Sequence, residues 1–106
     1  MAAWVFLTTV PGSKTARKIA RSLVELRLAA CVNLLENATS FYRWQGKQVK
    51  SREALLVIKA PRENFDRIER YLRMAHPYEL PELIAWPVSR GSSKYLAWVE
   101  ASVREL

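Results

Sequence analysis

The spacing of apolar and polar residues changes along the chain, and each change marks a predicted element. Residues 4–10 are apolar and rich in β-branched side chains, and Pro11-Gly12 follows them, which predicts a first strand. Residues 13–27 then carry an apolar stripe at helical spacing opposite a basic face. This pattern predicts an amphipathic helix after the first strand.

A long hairpin is predicted in the middle of the chain. Residues 30–44 are typical of an extended strand with a bend or bulge near residues 36–38. Gln45-Gly46 is a two-residue turn signal, and residues 48–60 form the returning strand. That strand ends in the continuously apolar residues 54–58, as a central strand does when both of its faces are covered.

Two helices and one strand complete the pattern. Pro61 suits the first turn of a second helix, which His76-Pro77 ends. Residues 82–88 return as a strand, and a last helix begins at about Ser93. The order β-α-β-β-α-β with a C-terminal helix predicts an α+β, ferredoxin-like sandwich, in a single domain over residues 1–106. Because helices on one sheet face leave the other face open, we expect copies of the chain to cover it.

The charge of the chain lies mainly in its first part. The net charge is +7, and residues 1–60 hold ten basic side chains against three acidic ones. Many of these bases form the polar face of the first predicted helix, which is first of all an ordinary solvated surface. The third predicted strand also lacks the stacking aromatic residues of an RNA-recognition motif. We therefore do not expect nucleic acid as a partner.

The cysteine content favours a reducing compartment. One cysteine, Cys31, excludes an intramolecular disulfide, and its small apolar surroundings favour a buried, unreactive thiol. The apolar start of the chain lacks a basic region before it and the length needed to cross a bilayer. We expect a cytoplasmic protein without a membrane segment.

Candidate chemistry concentrates in residues 76–82, a segment that contains two prolines and is here called the connector. It contains the only histidine, His76, together with Tyr78, Glu79 and Glu82. His76 fits a metal ligand or proton-transfer group, but a histidine after a helix also interacts favourably with the free carbonyls. Because there is no second histidine and no nucleophile motif, we do not expect an enzyme.

Aromatic residues form a second candidate group. Tyr42, Trp44, Tyr78 and Trp98 are candidates to line a pocket, to which Lys59 and Arg43 would bring positive charge for an anionic ligand. Glu79 and Glu82 of the connector are assigned to the same pocket or intersubunit cleft. The alternative is that these rings bury a subunit interface, and a cleft between subunits would satisfy both interpretations.

Several stretches closely resemble the CutA family of divalent-cation tolerance proteins, in order and at matching spacing over almost the whole chain. They are LTTVP at residues 7–11, LAACVN at 28–33, YRWQGK at 42–47, LVIK at 56–59, HPYELPE at 76–82, PVSRG at 87–91 and YLAW at 95–98. The resemblance implies a ferredoxin-like subunit in a tight homotrimer, similar to PII-type signalling proteins, with long hairpins crossing subunit boundaries.

The resemblance also implies a role in tolerance of, or response to, divalent metal ions such as copper. Copper ligands proposed for some members fall here on Thr8, Ala75 and His76, so His76 is the one ligand retained, and Cys31 is the other thiol or imidazole candidate. Two alternatives remain: a PII-like trimer that binds a small anionic molecule in its intersubunit cleft, and a purely structural trimer or scaffold.

Overall fold

One antiparallel sheet carries the helices of this chain. The structure is a computed structural model that describes residues 3–104. The predicted single domain over residues 1–106 also includes residues 1, 2, 105 and 106, which lie outside the described range. The sheet has the strand order β2-β3-β1-β4, which confirms the ferredoxin-like prediction. The elements are, in order, β1 (Ala3–Val10), α1 (Ser13–Glu25), β2 (Cys31–Trp44), β3 (Lys47–Pro61), α2 (Phe65–Ala75), β4 (Ile84–Pro87) and α3 (Ser93–Ser102).

The main core lies between the sheet and the helices α1 and α2. Alternate residues of β1 and β3 point into it, because successive side chains of a strand face opposite ways. Phe6 is fully buried and stacks on Phe65, with 5.9 Å between ring centroids. The helices contribute their apolar stripes, which are Ala16, Ile19 and Leu23 from α1 and Ile68 and Leu72 from α2.

The hairpin turn and the bulge lie where the sequence predicts them. Gln45 and Gly46 have φ values of 51° and 79°, so both central residues are left-handed, as a tight hairpin turn requires. The pairing of β2 with β3 shifts between Leu35 and Ala38, and Asn37 there has a φ of 67°. The bulge places two residues of β2 opposite one residue of β3.

Three predicted boundaries are wrong. Pro61 is the last residue of β3 and not the start of a helix, because its ψ of 149° is extended and a short 3₁₀ turn (Arg62–Asn64) intervenes. The first helix ends at Glu25 and not at residue 27, because Arg27 has a left-handed φ of 59°. The last strand has only four residues, which pair with Trp4 to Leu7 of β1.

Part of the hairpin extends beyond the rest of the sheet. β1 pairs with the second half of β3, from Ala54 to Pro61, so residues 47–53 pair only with residues 38–44 of β2. We call these two segments the arm. A two-stranded ribbon is marginally stable by itself in water. The arm therefore needs support from outside its own two strands.

The sheet face opposite α1 and α2 is only partly covered. Tyr95 of α3 lies close to Cys31, which faces away from the main core. Further along, Leu7, Val57, Leu35, Ile84 and Trp86 form what we call the open face, on which Ile84 is 51% and Trp86 43% exposed. Within residues 3–104, no helix is both long and apolar enough to cross a bilayer.

Replacing Thr8 by valine is expected to stabilise the folded protein. Its side chain is fully buried in the main core, and its Oγ1 has no hydrogen-bond partner. An unpaired buried hydroxyl is destabilising, so Thr8→Val should raise the free energy of unfolding by about 1–2 kcal/mol. Denaturant titration checks this, with Thr15→Val on α1 as the half-buried control. Equal or lower stability of Thr8→Val would show that the hydroxyl is satisfied.

Candidate functional site

His76 connects three parts of the chain through hydrogen bonds. It has an extended ψ of 138°, because the proline that follows disfavours helical backbone, yet its N–H still closes the last turn of α2 by donating to Leu72 O. Its ring is 7% exposed and lies 2.7 Å, through Nε2, from the carbonyl oxygen of Thr9. Its Nδ1 accepts the N–H of Tyr78 at 3.0 Å.

This bonding pattern fixes the protonation of the ring. A carbonyl oxygen only accepts and a peptide N–H only donates, so Nε2 carries the proton and Nδ1 carries the lone pair. The ring is therefore a neutral bridge between β1 and the connector, and both of its nitrogens are used. A metal ion at His76 would have to displace one of these two hydrogen bonds.

The residues at the implied copper positions do not fit a copper ion. Thr8 has its hydroxyl in the main core, and Ala75 has no ligand atom. Within residues 3–104, no three His, Cys, Asp or Glu side chains lie together as a metal site would need.

Cys31 lies away from His76 along the sheet. It pairs with Lys59, which pairs with Val5, whereas His76 contacts Thr9, four residues further along β1 and about 13 Å away. The side chain of Cys31 is half-buried and lies close to Asn33 Oδ1. Lys59 Nζ also donates a hydrogen bond to Asn33 Oδ1. The two candidate metal ligands therefore do not share a site in the chain.

A cavity of about 760 Å³ lies between the arm and the connector. This volume is within the usual range of small-molecule sites. Five of the predicted pocket residues line it, whereas Arg43, Lys59 and Trp98 do not, and Trp98 lies exposed on α3 beside Tyr95. The lining comprises Thr9, Ser40, Phe41, Tyr42, Trp44, Glu53, Pro77, Tyr78, Glu79, Leu80, Pro81 and Glu82.

Glu53 is the charged lining residue that the sequence did not assign to the pocket. It is 4% exposed, and its Oε2 accepts a hydrogen bond from the Tyr78 hydroxyl at 2.8 Å. It pairs with Ala38, the first residue of β2 after the bulge. The burial of Glu53 depends on this pairing and on Tyr78 crossing from the connector, and neither is visible as a local pattern. Its position just before an apolar strand end is the only sequence signal.

Tyr78 links the histidine to this carboxylate. Its backbone is held by His76 Nδ1, and its ring lies 5.2 Å from the imidazole, centroid to centroid. Burial, and then the hydrogen bond to Glu53, raises the pKa of the Tyr78 hydroxyl well above its usual value. Tyr78 therefore stays protonated and acts as a donor.

Comparison with known proteins shows the family of the chain. The model of the protein family described as "CutA1 divalent ion tolerance protein" matches residues 4–102. The chain belongs to the CutA1 family. The "Divalent-cation tolerance protein CutA" of Thermus thermophilus is 45% identical over 95 residues, which are 90% of this chain and 92% of that protein. The resemblance of the sequence motifs to CutA is thereby confirmed.

Solved CutA structures share the fold. The Thermus thermophilus structure has a TM-score of 0.92 at 43% identity, covering 94% of this chain and 97% of that one. The CutA1 crystal structure from Oryza sativa has a TM-score of 0.95 at 36% identity, covering 100% of this chain and 97% of that one. The ferredoxin-like subunit implied by the resemblance is confirmed.

CutA proteins are described from more than one compartment. The Archaeoglobus fulgidus structure, 31% identical with a TM-score of 0.92 over 96% of this chain and 99% of that one, is described as periplasmic. A curated Oryza sativa relative, 38% identical over 101 residues, is named chloroplastic, and the match covers 95% of this chain and 57% of that protein. Family membership alone therefore does not assign a compartment.

Replacing Tyr78 by Phe should change how stability depends on pH. The pKa of Tyr78 is higher in the folded protein than in the unfolded chain, where it is about 10. The stability that this difference contributes is fully present below the unfolded pKa and is lost as the pH rises through the folded pKa. Tyr78→Phe should therefore be less stable by about 1–2 kcal/mol at neutral pH, because Glu53 loses its donor, and the difference should shrink above about pH 10. Urea titrations at several pH values measure this. A difference that grew with alkaline pH would contradict the assignment.

Proposed function

We propose that this CutA1 chain forms a homotrimer that binds a small molecule in the cavity between the arm and the connector. Its part in tolerance of divalent ions such as copper would then depend on that ligand and not on coordination by His76. The observation that carries the proposal is the buried pair Glu53 and Tyr78 at the wall of a ligand-sized cavity, positioned by a histidine whose nitrogens are both bonded.

The unpaired surfaces of the subunit support the trimer. The arm has no third strand, and its aromatic side chains are exposed, with Phe41 65% and Trp44 41% accessible. The open face adds the exposed Ile84 and Trp86. Large exposed apolar surfaces of this kind are typical of subunit interfaces. At micromolar concentration, light scattering should give three times the 12.2 kDa chain mass, and a stable monomer would overturn the assembly.

The anionic-ligand alternative has less support. The cavity lining contains three carboxylates and no lysine or arginine. Arg43 and Lys59 would have to enter the cavity of a neighbouring copy to bind an anion. The scaffold alternative leaves the buried carboxylate of Glu53 without a role, because that group is costly to bury.

We also propose a binding role without catalysis, in the cytoplasm. Tyr78 is held as a hydroxyl donor, so it is unsuited as a base. His76 has no free nitrogen for proton transfer. The free thiol of Cys31 fits a reducing compartment.

A paired-variant screen tests the binding site. Ser40 lines the cavity, whereas the neighbouring Thr39 is exposed and is not among the lining residues. We expect a ligand-observed NMR screen of a metabolite collection to find binders of the unmodified protein and of Thr39→Trp that Ser40→Trp loses. No binders, or binders retained by Ser40→Trp, would contradict the proposed site.

A further inference from the structure

The charge and the walls of the cavity identify a class of ligand. We propose that it binds an organic monocation, a protonated amine or quaternary ammonium group attached to an apolar body. This inference rests on the proposed function of the cavity as a ligand site. Its basis is the juxtaposition of a buried carboxylate and exposed aromatic rings around one space without a basic side chain.

The lining carries negative charge only. Glu53, Glu79 and Glu82 contribute three carboxylates, and Thr9 Oγ1 donates to Glu82 Oε1 at 3.3 Å. Among residues 3–104 the ion pairs join Arg17 with Glu36 and Arg104 with Glu100, so no lysine or arginine in this range forms an ion pair with a cavity carboxylate. An anionic ligand would meet repulsion here, and a cation would meet attraction.

Glu53 gives this charge a specific position. The residue is 96% buried, and the Tyr78 hydroxyl provides a hydrogen bond without a compensating charge. A buried carboxylate without a counter-charge is unfavourable. A protonated amine would supply both the charge and further hydrogen-bond donors, and a quaternary ammonium group would supply the charge alone. The favourable place for the cationic group of the ligand is therefore next to the free oxygen of Glu53.

The aromatic residues fit the remainder of such a ligand. Phe41, Tyr42 and Trp44 line the arm side of the cavity, and Tyr78 lies on the connector side. Aromatic faces attract cations and bury apolar groups in the same space. Leu80 and Pro81 extend the apolar wall. A small inorganic ion would use none of these surfaces, and the described side chains do not gather three ligands for one.

Three probes of nearly equal size and different charge test the class. They are 2-phenylethylamine, which is cationic at neutral pH, 2-phenylethanol, which is neutral, and phenylacetate, which is anionic. Calorimetric titration of the assembled protein should show the amine binding at least about tenfold more tightly than the alcohol, with the anion weakest. Phenylacetate binding as tightly as the amine would overturn the cation class while leaving the cavity as a site. No binding of any probe at millimolar concentration would overturn both.

Two variants test whether Glu53 causes the preference for the amine over the alcohol. Glu53→Gln keeps the shape and an acceptor for Tyr78 but removes the charge, so it should reduce the preference of the amine over the alcohol to about twofold or less. Glu25→Gln, an exposed position on α1, should leave the preference unchanged. An undiminished preference in Glu53→Gln would contradict the assignment. If that variant fails to fold, the order of the three probes on the unmodified protein still decides.

Discussion

Replacing His76 by alanine is expected to lower the free energy of unfolding by about 2–4 kcal/mol, because the change leaves two backbone groups unpaired and opens a void. The groups are the Thr9 carbonyl and the Tyr78 N–H, which the ring joins at 2.7 and 3.0 Å. Losing the bridge also removes one of the links between the connector and β1, so the hydrogen bond from Tyr78 to Glu53 should weaken. Denaturant titrations of both proteins at one protein concentration measure the loss.

A chelator distinguishes this role from metal coordination. If His76 acts through protein hydrogen bonds, the stability difference should persist in excess EDTA. If instead a bound metal stabilises the protein through His76, removing the metal should lower the stability of the unmodified protein to that of the variant. A difference that vanished in EDTA would show that the account of His76 is wrong.

The second large effect is expected on assembly. Ile84 is 51% exposed on the open face and lies outside the cavity lining, so Ile84→Glu tests the interface without altering the cavity. A carboxylate buried against apolar side chains should weaken association by about 3 kcal/mol or more, roughly a hundredfold or greater. Light scattering over a concentration series should show the variant dissociating at concentrations where the unmodified protein remains assembled in the proposed trimer.

Met74 provides the matched control for assembly. It is 83% exposed on α2, on the helical side of the sheet. Met74→Glu should leave the mass unchanged. Dissociation of Met74→Glu, or a fully assembled Ile84→Glu, would place the interface elsewhere than on the open face.

The elements of the fold could be predicted because their signals are local. The helical period of apolar residues predicts α1, and the continuously apolar residues 54–58 predict the end of β3. Gln45-Gly46 favours the left-handed turn that it adopts. Pro61 was misassigned because its φ suits both a helix start and a strand end, and only its ψ, which the surrounding fold sets, distinguishes them.

The site was only partly predictable because its contacts are distant in sequence. The sequence indicates the connector as a source of functional side chains. It also predicts five residues of the pocket lining, which are Tyr42, Trp44, Tyr78, Glu79 and Glu82. Glu53 was missed, because its burial depends on Tyr78 from a segment 25 residues further along the chain. The sequence also allows His76 to act as a metal ligand or proton-transfer group, which needs a free ring nitrogen. It does not reveal that Nε2 bonds to Thr9, because Thr9 is 67 residues away. Such pairings follow from the tertiary fold.

The NMR spectrum of the His76 imidazole gives the most direct test of whether this residue shapes the cavity and binds no metal. The chain has one histidine, so long-range ¹H–¹⁵N correlations report on this ring alone. From its two hydrogen bonds we predict a protonated Nε2 and an unprotonated Nδ1, with the signals of both nitrogens unmoved by added Zn²⁺. The opposite tautomer, or a ring nitrogen that shifts stoichiometrically with Zn²⁺, would contradict the account.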